Sequence, residues 1–343
     1  MPNFAHTQLG TLVGQRDQGV AVFRGVDYAQ PPVGKLRFAA PVPMAPWQFQ
    51  RDAGWHGAIA PQAPSRLAPA MGDFKKRMDE DCLSLTVWTP EPDGQRRPVL
   101  VWLHGGAWVS GAGSLEWYDG SRLAREGDVV VVGVNYRLGA LGYLKHPALP
   151  AEDCGTLDQI AALAWVRDNI AAFGGDPGCV TVMGQSAGAA SIGRLIINPA
   201  ARALFHRAIL QSGGFGRATL GLQEAYGIGA QVIRAAGLDP DAADILDQLR
   251  AVPAETLVAA TGTVARAYFS LLAVKDEYEV ARLHTHQGFF RQLADTFEGD
   301  YRLRFHLAPA WLARPDHKTG QIKKIELGSW ILPPMRLLAS LRH

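Results

Sequence analysis

The stretch Val180-Thr181-Val182-Met183-Gly184-Gln185-Ser186-Ala187-Gly188 decides the fold of this chain. Its first four residues form an apolar run that is typical of a strand buried on both faces. The last five match G-x-S-x-G, the pattern of a sharp strand-to-helix turn that lifts a serine hydroxyl clear of a sheet. Small residues at Gly184 and Gly188 permit this turn. We therefore predict that Ser186 is a nucleophile and that the Ala187 amide faces the charge that develops on attack.

A second motif lies upstream of this serine turn. Leu103-His104-Gly105-Gly106-Ala107-Trp108 follows the apolar run at residues 99–103. A glycine loop after such a strand can present backbone amides to the oxygen on which charge develops. A serine hydroxyl is a weak nucleophile, so acyl transfer needs these donors as well as a base. The two motifs, in this order, predict an α/β-hydrolase fold.

The pattern of apolar residues agrees with an α/β class. Continuous apolar runs at 99–103, 129–134 and 180–183 predict strands in the centre of a mostly parallel sheet, and a crossover helix at 157–173 joins the second run to the third. Further predicted elements are a hairpin at 11–28 around Gly19, strands at 83–89 and 208–211, and helices at 222–236 and 241–249. The alternation of strands and helices predicts a central sheet with flanking helices.

Composition limits the classes of partner. The chain has 343 residues, is 48% hydrophobic and carries a net charge of +2, so charge favours neither nucleic acid nor a membrane as a partner. The start lacks a secretory pattern and no apolar run approaches a membrane span, so we expect a cytoplasmic protein. Three cysteines at irregular spacings, Cys82, Cys154 and Cys179, fit neither a disulfide framework nor a zinc site. We expect no metal and no cofactor.

Further motifs accompany the serine turn and the glycine loop. They are GVDYA (25–29), PPVG (31–34), LRF (36–38), EDCLSL (80–85), NYRLG (135–139), LDQ (157–159) and FHRAILQSG (205–213). With this combination the chain resembles the type B carboxylesterases, which include the cholinesterases and the bacterial para-nitrobenzyl esterases. The resemblance covers about residues 5–260.

This resemblance implies roles for particular residues. Ser186 would be the nucleophile that forms the acyl-enzyme, and the amides of Gly106, Ala107 and Ala187 would form the oxyanion hole. Small uncharged carboxylic esters would be the substrates. The resemblance also implies structural ion pairs between Arg37 and Glu80 and between Arg137 and Asp158. Cys82 has no earlier cysteine to pair with, so we expect a free thiol.

The character of the chain changes after about residue 262. From Val264 onward charged groups such as DEYE (276–279) and RLR (302–304) replace the apolar runs. We expect a carboxylesterase-like portion at 1–262 and an unrelated charged tail at 263–343. The family's glutamate and histidine, which follow the nucleophile and activate it, are not recognisable here. We therefore expect a sheet truncated before its last strands, with an unpaired edge that can drive self-association.

The tail has a resemblance of its own. Residues of about 264–340 resemble the C-terminal end of indolepyruvate ferredoxin oxidoreductases, but they include no cysteine cluster and no thiamine motif, so no redox activity follows. Candidate bases in the tail are His284, His286, His306, His317, His343, Glu277, Glu279 and Glu298. We do not expect their recruitment, because a base must lie within about 3 Å of the hydroxyl and be oriented by a third group. His104 and His206 are expected to hydrogen-bond locally.

Two hypotheses for the function follow. In the first, the chain is a carboxylic ester hydrolase that uses Ser186 through an acyl-enzyme, with turnover impaired because the acid and the histidine of the triad are not recognisable. In the second, it is a catalytically inactive, truncated hydrolase scaffold fused to a foreign C-terminal segment. Ester turnover separates them, because Ser186→Ala should abolish it under the first hypothesis and change nothing under the second. We expect weak or absent activity of the wild type.

Overall fold

A computed structural model describes residues 3–65, 76–151, 153–213, 221–272, 304–307 and 325–340. It separates into two compact units, Met1–Ala265 and Arg266–His343. The first unit contains the sheet and the candidate site. Within the second, an antiparallel hairpin pairs β10 (Arg304–Leu307) with β11 (Ile325–Gly328), and the helix α8 (Leu332–Ser340) follows.

The first unit is built on one mixed sheet. Its strands are β1 (Asn3–His6), β2 (Thr11–Asp17), β3 (Val20–Asp27), β4 (Arg51–Asp52), β5 (Ser84–Thr89), β6 (Arg97–Leu103), β7 (Val130–Val134), β8 (Gly175–Gln185) and β9 (Arg207–Gln211). Their order is β1-β2-β3-β5-β7-β6-β8-β9, with β4 beside β2. Pairing is antiparallel from β1 to β7 and parallel from β7 through β6 and β8 to β9.

This arrangement confirms the predicted α/β class. The strands predicted at the centre are parallel, and the predicted hairpin, β2 and β3, extends the sheet with antiparallel strands, so the whole sheet is mixed. Gly19 makes the hairpin turn with a φ of +85°, a conformation that glycine adopts without steric cost.

The helices of the first unit flank this sheet or pack on one another. They are α1 (Ser121–Gly127), α2 (Gly139–Tyr143), α3 (Cys154–Asn169), α4 (Ala187–Ile197), α5 (Leu222–Ala235), α6 (Ile245–Ala251) and the first part of α7 (Ala254–Leu272), a helix that crosses the unit boundary at Ala265. The predicted crossover helix is α3 followed by the 3₁₀ turn Ile170–Phe173, which Gly174 ends with a φ of +78°. The helix predicted at 222–236 is α5, and the helix predicted at 241–249 is α6, which begins only at Ile245. None of the helices in the described ranges is both long and apolar enough to span a membrane.

Burial follows the sheet register at the centre of the fold. Val132, Val101 and Val182 are direct neighbours across β7, β6 and β8, and all three are fully buried. Leu163 and Val166 of α3 belong to the same core cluster. Burial of such side chains is the main favourable term in folding, at about 25 cal/mol per Å² of apolar surface. This core holds the ends of β6 and β8 at fixed relative positions.

Both expected ion pairs are present and structural. Arg37 pairs with Glu80 and also donates to the carbonyls of Leu249 (3.1 Å) and Arg250 (3.0 Å), near the C-terminal end of α6, where a cation is favourable. Arg137 and Asp158 form a pair of which the side chains are 4% and 0% exposed.

The cysteines of the first unit are free thiols. Cys82 is buried, and burial raises the pKa of its thiol above the ordinary value. Cys154 is also buried, whereas Cys179 is half-buried.

Candidate active site

The sheet brings the two sequence motifs together. Leu103, the last residue of β6, pairs with Gly184 near the end of the neighbouring parallel strand β8. The glycine loop and the serine turn therefore leave the same edge of the sheet side by side, as the carboxyl ends of adjacent parallel strands do.

The serine turn is sharp and closely packed. Ser186 has φ +54° and ψ −117° and directly precedes α4, and its amide donates to the carbonyl of Gln211 at the end of β9 (2.9 Å). A Cβ added at Gly184 would lie 2.7 Å from the Leu103 carbonyl oxygen, and one added at Gly188 would clash with that same oxygen. Glycine is therefore required at both positions because the backbone of the serine turn lies directly against the Leu103 carbonyl of β6. Ser186 itself is half-buried.

The glycine loop lies against the serine turn. A Cβ added at Gly105 would meet the Gln185 carbonyl oxygen at 2.8 Å and the Cβ of Ser186 at 3.3 Å. Only glycine allows the loop to come this close. The next residues are strained, since Ala107 and Trp108 have φ values of +55° and +58°. Each such non-glycine residue costs of order 1–3 kcal/mol and persists only where the surroundings hold it.

Three backbone amides of the glycine loop and the serine turn have no protein acceptor among the described residues. Within the described ranges, the amides of Gly106, Ala107 and Ala187 have no hydrogen-bond acceptor. Two of them come from the glycine loop and the third from the first residue of α4, at the positive end of that helix dipole. Backbone amides left free next to a nucleophile can bind an oxyanion if they point to the same oxygen.

His104 begins the glycine loop but belongs to the framework. It is 1% exposed, its Nδ1–H donates to the Gly105 carbonyl (2.8 Å), and its ring stacks on Tyr136 with centroids 4.3 Å apart. The Tyr136 hydroxyl donates to the His104 carbonyl (2.6 Å). Burial lowers the pKa of His104 to about 4, although the hydrogen bond to Gly105 opposes this effect. A buried imidazole of that pKa is a poor base at neutral pH.

No base for Ser186 is found among the described side chains. The Ser186 hydroxyl has no hydrogen-bond partner within the described part of the chain. His206 accepts from the Val180 amide (3.1 Å), and His146 accepts from the Ala148 amide (3.2 Å), so both serve the backbone locally. The local role expected for His104 and His206 is therefore what the structure has. The side chains of the tail's candidate bases lie outside the described residues.

The profile of the carboxylesterase family matches residues 2–292. The chain belongs to the carboxylesterase family. The phenmedipham hydrolase of Pseudarthrobacter oxydans is 46% identical over 261 residues, which cover 75% of this chain and 51% of that protein. The para-nitrobenzyl esterase of Bacillus subtilis (strain 168) is 44% identical over 257 residues, covering 74% of this chain and 51% of that protein.

The structural comparison agrees with the family assignment. The solved structure of a thermophilic PNB esterase superimposes on this chain with a TM-score of 0.72 and 41% sequence identity. The match covers 78% of this chain and 55% of the esterase. This chain spans about half the length of the curated relatives it matches. Residues 242–343 match the profile of a second family, of unknown function.

Two anchors of the glycine loop had no sequence signal. The side-chain amide of Gln62 accepts from the Gly111 amide (2.6 Å) and donates to the Gly111 carbonyl (2.9 Å), which holds the far end of the loop. The Trp108 indole donates to the Ser191 hydroxyl on α4 (2.9 Å). Both partners are distant in sequence from the loop and belong to no motif, so only the folded chain reveals them.

Proposed function

We propose that the first unit carries the nucleophile and the oxyanion hole of an esterase that acts on small, uncharged carboxylic esters. The observation that carries this proposal is the close approach of the glycine loop to Ser186, with the free amides of Gly106, Ala107 and Ala187 beside it. The esterase relatives support the reaction class. The net charge of +2 supports an uncharged ligand rather than nucleic acid or a membrane surface.

The proposed chemistry is acyl transfer through a covalent intermediate. The Ser186 oxygen attacks the ester carbonyl carbon as a base removes the hydroxyl proton, and the carbonyl oxygen becomes an oxyanion held by the three amides. The tetrahedral intermediate collapses, the base gives its proton to the leaving alkoxide so that the neutral alcohol departs, and an acyl-enzyme remains. Water then attacks the acyl carbon, and its proton returns through the base while the acid departs and Ser186 is regenerated. The base is the part of this scheme that no described side chain supplies.

A second candidate function is a hydrolase scaffold without catalytic competence, joined to the segment that matches the second family. The observation that favours it is the Ser186 hydroxyl, which lacks a described hydrogen-bond partner that could remove its proton. In this case the chain would keep the shape of the site and none of its reactivity. The two candidates therefore differ in one measurable property, the nucleophilicity of Ser186.

Labelling with a fluorophosphonate separates the two candidates. The probe reacts with an activated serine whatever the natural substrate, and intact-protein mass spectrometry reads the adduct. We expect slow labelling of the wild type, no labelling of Ser186→Ala, and wild-type labelling of Ser121→Ala, which alters a fully buried serine of α1. No labelling of folded wild type would overturn the esterase proposal. Ester turnover at about 1–1,000 per second, ordinary for an enzyme, would instead overturn the claim of an incomplete triad.

We also propose that the chain self-associates through strand β9. Among the described strands, β9 has β8 on one side and no neighbour on the other. Ile209 at its centre is 45% exposed, and Ile197 at the end of α4 is 80% exposed. An exposed edge strand with a central apolar residue favours pairing with another chain.

Three further proposals concern the chain as a whole. We propose that a carboxylesterase-like portion and an unrelated tail meet near residue 262.

We also propose that the tail shares a common origin with the C-terminal end of indolepyruvate ferredoxin oxidoreductases but carries no redox chemistry. The purified protein should therefore be colourless and bind no thiamine diphosphate. The free cysteines support a cytoplasmic location, because reduced thiols are typical of that compartment. Cell fractionation tests the location.

A further inference from the structure

The glycine loop and the helix α4 contribute different donors to the proposed oxyanion hole. Gly106 and Ala107 belong to the loop, whereas Ala187 is the first residue of α4. Donors that bind one oxygen must keep fixed relative positions, because they act only within a few tenths of an ångström of the charge. Strand register holds the base of each element, but the loop projects beyond the end of β6.

A side-chain tie joins the two elements beyond the sheet. The Trp108 indole N–H donates to the Ser191 hydroxyl, and the Arg194 guanidinium lies over the Trp108 ring at 5.1 Å. Ser191 and Arg194 both lie on α4, five and eight residues after Ser186 in sequence. Trp108 therefore contacts the nucleophile's own helix through a hydrogen bond and a cation–π contact.

The Ser191 side chain is also held by the helix α3. It is fully buried, and the Gln159 side-chain amide on α3 donates to its hydroxyl at 3.4 Å. Gln159 is also fully buried. The Ser191 hydroxyl oxygen thus accepts hydrogen bonds from both Trp108 and Gln159. Any rotation that breaks one of these bonds leaves a buried donor unsatisfied, so the hydroxyl is held in one orientation.

The hydrogen bond from Trp108 to Ser191 matters for the loop because the backbone at Ala107 and Trp108 is strained. Trp108 and Ala107 both lie in the left-handed region of φ, so relaxation of the loop would move both toward negative φ. The Trp108 carbonyl accepts from the Gly139 amide at the start of α2 (2.7 Å), which holds one end of the strained pair. The indole tie holds the side chain of that same residue, next to Ala107.

We infer that Ser191 is a positioning residue that fixes the oxyanion loop to the nucleophile helix through Trp108. It touches no substrate atom and acts by keeping the Ala107 amide in place relative to the Ala187 amide. This inference rests on the proposed function for its catalytic meaning. The tie itself can be tested without any turnover.

The indole N–H signals in a ¹H–¹⁵N spectrum give the direct readout. The chain has nine tryptophans, and Trp108→Phe identifies the Trp108 indole signal as the one it removes. In Ser191→Ala we expect that signal to move and to exchange with solvent at least about fivefold faster, the factor that corresponds to loss of one buried hydrogen bond. Hydrogen–deuterium exchange of the loop residues 104–111 should accelerate by a similar factor.

Matched variants separate this role from general loss of structure. Ser121→Ala also removes a fully buried serine hydroxyl, on the distant helix α1, and should leave the Trp108 signal and the loop exchange unchanged. Ser186→Ala should leave both unchanged too, since the tie does not involve the nucleophile. If Ser191→Ala leaves the indole signal and the loop exchange as in the wild type, the inference is wrong. Absence of fluorophosphonate labelling bears on the proposed function alone, because the indole measurement does not depend on a reactive serine.

Discussion

The buried pair of Arg137 and Asp158 allows a sharp test of how this fold is held together. Asp158 on α3 is fully buried and accepts from the Arg137 amide (3.0 Å), Nε (2.8 Å) and Nη2 (2.6 Å). Asp158→Asn keeps the size of the side chain but removes its charge, which leaves the 3%-exposed Arg137 cation without compensation. Breaking a buried pair in this way costs about 3–5 kcal/mol, a large part of the roughly 5–15 kcal/mol that stabilises an ordinary protein.

The same helix supplies the control. Asp168 pairs with Arg167, but those side chains are 42% and 53% exposed. Exposed pairs contribute about 0–1 kcal/mol, so Asp168→Asn should change stability little. Urea unfolding of the full chain, followed by circular dichroism, gives both free energies from the midpoint and the slope. Equal effects of the two substitutions would refute the reasoning, as would an Asp158→Asn variant as stable as the wild type.

Three further outcomes are expected. Gly188→Ala should lower stability, read as the melting temperature, because the added Cβ would clash with the Leu103 carbonyl. Gly227→Ala in α5, where nothing lies within 4 Å of the added Cβ, should raise stability by about 0.5–1 kcal/mol. Shifts of the melting temperature in the same direction for both variants would contradict this prediction. Burial lowers the pKa of His104 and of His56 to about 4, below the roughly 6.5 of an unfolded histidine, so the unfolded state binds protons first and stability falls as the pH drops from 6.5 to 4. His104→Asn should reduce that slope and leave the part due to His56, and an unchanged pH dependence of the melting temperature would exclude the assignment. If β9 mediates self-association, Ile209→Lys should convert oligomer to monomer in sedimentation velocity, because an edge lysine opposes strand pairing, and a wild type that is monomeric at all concentrations would remove the proposal.

Local patterns in the sequence were sufficient to predict much of the fold. The continuous apolar runs predicted β6, β7 and β8. The strand β7 is buried at every residue, whereas in the runs of β6 and β8 fully buried residues alternate with partly buried ones. The serine turn could be predicted because Gly184 and Gly188 are required by contacts with a neighbouring strand, and their small size is visible in the chain itself. The ion pairs of Arg37 and Arg137 were predicted from the family resemblance and not from the spacing of residues, because the partners are distant in sequence.

Other features depended on which segments meet in space. The sheet is mixed because antiparallel strands extend the parallel centre, and apolar runs do not reveal the direction of pairing. The hydrogen bond from Trp108 to Ser191 and the hold of Gln62 on Gly111 join residues that no motif connects.

The sequence by itself determined the family, the α/β class and the place of Ser186, because strand burial, turn geometry and motif spacing are local properties that residue types record. Only the tertiary structure decided how closely Gly105 approaches Ser186, which amides are left without acceptors, and that no described histidine serves the hydroxyl. Those are distances between separate elements, and they are set by packing over the whole sheet rather than by any one stretch of chain.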